Sequence, residues 1–139
     1  MIDRLNREER VAMMELMNYL AKTDGKINDI SQEVLREYAD LLEVDPAAID
    51  GSLTPEELVP QFQSPASRVV ALQEVFRLAN LDGVFTIGEE SAIIDIASLM
   101  GFPMEFVRRV EQWVLDGIEW TLTGEKLIEE GGHLALRKV

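Results

Sequence analysis

The stretch Leu78-Ala79-Asn80-Leu81-Asp82-Gly83-Val84-Phe85-Thr86-Ile87-Gly88-Glu89 decides the fold. It reads as the end of one helix, a tight turn and the start of another. Gly83 accepts the left-handed backbone that helix ends and turns often need. Thr86 and Glu89, three residues apart, make a capping box, in which each side chain satisfies a backbone N–H that the helix start would leave orphaned. Upstream, Ser64-Pro65 is a cap-and-proline start for a helix whose apolar side runs through Val69, Leu72, Val75, Phe76 and Ala79. Downstream, Ile93, Ile94, Ile96, Ala97 and Met100 trace the next helix, which Gly101 stops. The two form a helical hairpin.

The same hairpin is written earlier in the chain. A shift of 58 positions (82 − 24) lays Leu20-Ala21 on Leu78-Ala79, Asp24-Gly25 on Asp82-Gly83, Asn28 on Thr86, Leu35 on Ile93, and Ala39 and Leu41 on Ala97 and Leu99, without a gap. The first of these helices is expected from Asp3 to Thr23, with Leu5, Ala12, Leu16, Tyr19 and Leu20 on its apolar face. Asn28 or Asp29 caps the second, which presents Val34, Leu35, Tyr38, Leu41 and Leu42. Between the hairpins, Asp45-Pro46 begins a short helical turn that Gly51 breaks, and Thr54-Pro55-Glu56-Glu57 starts a short helix to about Phe62.

After Pro103 a long helix carries Phe106, Val107, Val110, Trp113, Val114 and Ile118, with Gly117 weakening its continuation through Trp120. A weaker helical segment is expected from Gly124 to Glu130, then a break at Gly131-Gly132 and a loose tail. No stretch alternates with the period of a strand. The expectation is one all-α domain over 1–139, a bundle of six to seven helices with repeat halves at about 9–50 and 65–115 and a helical tail at 116–139.

Composition agrees with a packed globule: 47% of the 139 residues are hydrophobic and 28% charged. The chain has no cysteine, which excludes disulfides, thiolate metal sites and thiol nucleophiles. A net charge of −13 repels phosphate backbones, so nucleic acid is not an expected partner. No apolar run approaches the roughly 20 residues of a transmembrane helix, and the start is charged rather than a signal sequence, so a cytoplasmic location is expected.

A helix ending in Leu-Ala-x-x-Asp-Gly, followed by an apolar residue and a cap with Glu, resembles the tellurite-resistance TerB-like family, from about Glu9 to Leu115. The resemblance implies an all-helical fold of two pseudo-symmetric halves, acidic residues near the Asp-Gly turns, and links to tellurite and stress responses and to metal ions. Carried over by position, Asp24, Asp82 and Glu89 match the acidic places of the motif, and Ser31 stands where the first half would present the counterpart of Glu89.

Each motif has a functional and a structural reading. Asp82 to Glu89 follows the second half of an EF-hand loop, but Leu78 would occupy its first ligand position and offers no side-chain oxygen. A different oxygen site could gather Asp24, Asp82 and Glu89 around a divalent cation, Ca²⁺ or Mg²⁺; otherwise the aspartates close turns and Glu89 completes its capping box. His133, the only histidine, has no second soft ligand and reads as a tail residue. Met13, Met14 and Met17 read as core filling. Trp113 and Trp120, seven apart, share a helix face; Trp113 is expected in the core and Trp120 at a surface that docks a protein partner or a second copy. The function expected is that of a binding module rather than an enzyme, working either through the acidic turns or, metal-free, as a scaffold or homo-oligomer through the late helix around Trp120.

Overall fold

The computed structural model describes residues 1–23, 29–81 and 85–136, and these contain helices and connecting segments but no strand. A 3-10 turn at Ile2–Arg4 precedes α1 (Arg7–Ala21), α2 (Asp29–Leu42), α3 (Pro55–Leu58), α4 (Pro65–Leu81), α5 (Ile87–Leu99) and α6 (Met104–Leu136), with further 3-10 turns at Pro46–Ala48 and Val59–Gln61. The first long helix therefore starts at Arg7 and not at Asp3. Asn6 takes the cap: its side-chain oxygen accepts the Glu9 N–H at 2.9 Å, and Glu9 accepts the Asn6 N–H at 3.0 Å.

Helix α1 is the central strut. It packs on α2, α3, α4 and α5, and it buries Met13, Leu16, Met17 and Leu20 completely or nearly so. The core reading of Met13, Met14 and Met17 holds; unbranched thioethers fill the irregular space where four helices meet one. Facing them, α4 supplies Leu72, Val75 and Phe76, α5 supplies Ile93 and Ile96, and the segment between the hairpins supplies Leu58 and Phe62. Burial of each such side chain contributes about 1.5–3 kcal/mol before chain entropy is charged against it. Tyr19 and Leu41, expected on apolar faces, are instead exposed on the flanks of their helices.

Two arginines buckle helix starts to helix ends. Arg10 Nε donates to the Leu5 carbonyl at 3.1 Å and its Nη1 to the Leu42 carbonyl at 3.2 Å, so the start of α1 is tied to the end of α2. Arg68 Nε donates to the Phe62 carbonyl at 3.2 Å and its Nη1 to the Met100 carbonyl at 3.3 Å, tying α4 to the end of α5. Helix α2 ends with the Val44 N–H on the Ala39 carbonyl at 2.9 Å and Glu43 at φ 58; α5 ends with the Phe102 N–H on the Ala97 carbonyl at 3.1 Å and Gly101 at φ 87. Both are left-handed helix stops that satisfy orphan carbonyls.

Helix α6 departs from the sequence expectation. Its 33 residues run unbroken through Gly117, Gly124, Gly131 and Gly132, so the break at Gly131-Gly132 and the loose tail are corrected to helix as far as Leu136, beyond which the chain lies outside the described residues. A glycine costs about 1 kcal/mol relative to alanine inside a helix but keeps its N–H, so it weakens a helix without forbidding it as proline does. At 1.5 Å per residue the helix is about 50 Å long. Val107, Val110 and Val114 close the core against α4 and α5. From Glu119 to Ala135 every residue is exposed save the half-buried Gly124. Among the described residues no helix is long and apolar enough to cross a membrane.

Candidate functional site

Of the acidic positions singled out from the sequence, Asp24 and Asp82 lie outside the described residues. Glu89 is at the start of α5, buried, with its carboxylate on the cap. Thr86 Oγ1 accepts the Glu89 N–H at 3.0 Å, and Glu89 Oε1 accepts the Thr86 N–H and hydroxyl, each at 3.3 Å. The capping duty read from Thr86-x-x-Glu89 is thus performed. Ser31, its counterpart in the first half, is also buried. Asn80, the third position of an EF-hand reading, donates to the Phe76 carbonyl at 2.8 Å within its own helix. Among the described residues no three His, Cys, Asp or Glu side chains are grouped so as to hold a metal ion.

Three buried carboxylates that sequence reasoning passed over hold the connections. Glu15, on α1, accepts the N–H groups of Asp50 and Gly51, both at 2.9 Å, and so pins the loop after the Pro46–Ala48 turn. Glu9 completes the Asn6 cap and also accepts the Gln63 N–H at 2.9 Å, fixing the entry to α4. Burial pushes the Glu9 carboxyl upward, but hydrogen bonds from Ser67, Asn6 and Gln63 outweigh it and hold the group below the usual carboxylate range. Glu74, on α4, accepts the Tyr38 hydroxyl at 2.9 Å and lies 3.5 Å from Arg77 Nη1. Burial and the Glu74 charge together raise the Tyr38 phenol well above its ordinary value near 10, so it stays a donor. Spacing alone reveals none of these: a glutamate on a helix reads as solvated until the segment it clamps is placed beside it.

Two concavities flank the bundle. One, of about 510 Å³, lies between α1, α2 and the 46–51 loop, lined by Met14, Leu35 and Ile49 together with Lys22 and Arg36. Lys22 is turned onto the Gly51 carbonyl at 3.4 Å. The other, of about 760 Å³, is a groove where α6 leaves the body, lined by Trp113, Gly117 and Trp120 of α6, Leu81 and Arg77 of α4, and Met1.

The groove continues onto the free half of α6. Trp120 is 79% exposed, as expected of a surface aromatic, whereas Trp113, expected in the core, is 44% exposed. The reason is angular. Val107, Val110 and Val114 take the face that meets the core, and Trp113 falls about 100° away from Val114, on the flank. Leu127 and Leu134 continue the seven-residue spacing of Trp113 and Trp120 and are exposed, and Gly117, Gly124 and Gly131 stand between them at a parallel seven-residue spacing. That double spacing is legible in the sequence but is masked when Gly117 is read as a weak point, Gly124 as a new start and Gly131 as a break.

Compared with protein-family models, with curated proteins and with solved structures, the chain matches none.

Proposed function

We propose that this chain is a binding module rather than an enzyme: a helical body that carries the second half of α6 as its contact surface. The observation behind this reading is the run from Glu119 to Ala135, a helix half left almost wholly exposed while it carries Trp120, Leu127, Ile128 and Leu134. An isolated helix of this length is marginal in water, and most helical stability in proteins comes from packing an apolar face. A chain that extends an apolar helix past its own core supplies half of an interface. The buried carboxylates Glu9, Glu15 and Glu74 each hold a segment of their own chain, which favours binding over acid–base chemistry.

The body fits a TerB-like, stress-associated module of two hairpins copied from one unit. Supporting this, Arg10 and Arg68, Leu42 and Met100, and Glu43 and Gly101 are each 58 positions apart, the offset of the two Asp-Gly turns, and play matching roles in the two hairpins.

The test is photo-cross-linking of the full chain in cells, with a photoreactive residue at Leu127 or, as a control on the body, at Glu56. Protein adducts are expected from position 127 and not from position 56. Adducts from neither, or equally from both, contradict a contact surface on α6.

A further inference from the structure

We infer that the free half of α6 pairs antiparallel with α6 of a second copy of this chain; this rests on the reading of α6 as a contact surface and names its occupant. The exposed side chains Trp113, Trp120, Leu127 and Leu134 recur every seven residues, two helical turns, and so form one stripe along α6. Ile128 flanks it. At aromatic side-chain areas of about 150–250 Å², this face offers on the order of 600–700 Å² per chain, close to the ~800 Å² per partner of a stable interface.

What covers the stripe must fit its relief, which alternates between large and absent. Gly117, Gly124 and Gly131 stand between the large residues, and a Cβ added at any of the three meets nothing within 4 Å. Nothing inside the chain therefore requires glycine there, although each costs the helix about 1 kcal/mol relative to alanine. A second copy of the same helix is complementary to this relief in one direction only. Run parallel, glycine would face glycine and tryptophan would face tryptophan, leaving voids alternating with overpacked layers. Run antiparallel, each glycine faces a large side chain: Gly117 the second copy's Leu134, Trp120 its Gly131, and Gly124 its Leu127. Every layer then holds similar volume, as close packing requires.

Charge selects the same direction. Each chain carries −13, and parallel pairing would set two such bodies side by side, whereas antiparallel pairing puts them at opposite ends of the shared helices. The arrangement is isologous, each copy giving the other the same surface, and it closes at two. The end of the second copy's helix meets the groove beside Leu81 and Arg77, where the stripe joins the body.

The experiment uses the full chain, whose lack of cysteine lets single thiols be placed at will. Sedimentation equilibrium is expected to give twice the chain mass, and Trp120→Glu is expected to give a monomer whose body keeps its cooperative unfolding. Under mild oxidation, Gly117→Cys mixed with Leu134→Cys is expected to form the mixed disulfide-linked pair, while Leu134→Cys alone stays unlinked. A dimer in which Leu134→Cys links to itself, or one that Trp120→Glu leaves intact, overturns the antiparallel pairing. A monomer at all concentrations also overturns it. If position 127 still cross-links to another protein in cells, only the second copy falls; if it cross-links to nothing, the contact surface falls with it.

Discussion

The body and the free half of α6 solve the same problem, holding helices in water, by opposite means. In the body, helix ends are tied to other segments: Arg10 and Arg68 carry carbonyls from distant helix ends, Glu15 and Glu9 hold loop N–H groups, and Glu43 and Gly101 turn the chain out of its helices. Among the described residues of the free half no side chain beyond Ile118 is buried, and what remains is an apolar stripe with gaps in it. On the proposed reading, that difference marks the contact surface. Residues that spend their polar atoms on their own chain stabilise the fold, and residues that spend nothing on it are left to meet something else.

Substitutions at the core should separate the two regions most widely. Phe76→Ala, at a fully buried position, is expected to lower the unfolding free energy of the chain by about 3–5 kcal/mol in denaturant titration. Trp120→Ala should change the body's stability by less than about 0.5 kcal/mol when measured on separated chains, since surface positions usually fall in that range. A large loss from Trp120→Ala would mean that the indole packs on its own body.

Removing a clamp comes next. Glu15→Ala leaves the Asp50 and Gly51 N–H groups without their acceptor, and a loss of about 1.5–3 kcal/mol is expected, with faster amide exchange confined to the 46–51 loop. Helix stops give a smaller and signed effect. Glu43→Gly should stabilise by about 1 kcal/mol, because a residue with a Cβ is strained at φ 58, and Gly101→Ala should destabilise by about the same amount. Equal and opposite shifts in the melting midpoint would sharpen the parallel between the two hairpins, and the same sign at both would break it.

Acid and alkali should act on the body through two groups. Glu9 has a lowered folded pKa, so its contribution is present above the unfolded value near 4.5 and is lost as pH falls through the folded one. Tyr38 has a raised folded pKa, so its contribution is complete below the unfolded value near 10 and is lost as pH rises above it. Glu9→Gln should flatten the acid limb of a stability–pH curve and Tyr38→Phe the alkaline limb. Unchanged limbs would show that other groups control them. Glu89→Ala should cost about 1 kcal/mol through the α5 cap, by the same amount with and without millimolar Ca²⁺ or Mg²⁺. A loss confined to the cation-containing sample would instead assign Glu89 to an ion.

Local chemistry made most of the body legible in the sequence. Thr86-x-x-Glu89, Thr54-Pro55, Ser64-Pro65 and Gly101 mark helix starts and stops by requirements that act within a few residues, and the helices fall where those marks put them. Asn6-x-x-Glu9 is the same signal and was overshadowed by Leu5 in the apolar pattern. The clamps were not legible, because whether Glu15 is solvated or buried depends on Asp50 and Gly51, 35 and 36 residues away. Nor was the length of α6. Glycine is a weak breaker when good helix formers surround it, and Leu127, Glu129 and Glu130 carry the helix on to Leu136. The exposed half of Trp113 was hidden because periodicity places a residue on a face without saying where the neighbouring helix stops covering it.

On the proposed reading, the free half of α6 is a helix only half of whose interface lies in one chain. Amide hydrogen exchange across residues 119–135, followed as protein concentration is raised, tests it most directly. Slow exchange that becomes slower with concentration is expected, while the amides of α1 and α4 stay unchanged. Exchange in 119–135 as fast as in an unfolded peptide at every concentration would contradict it.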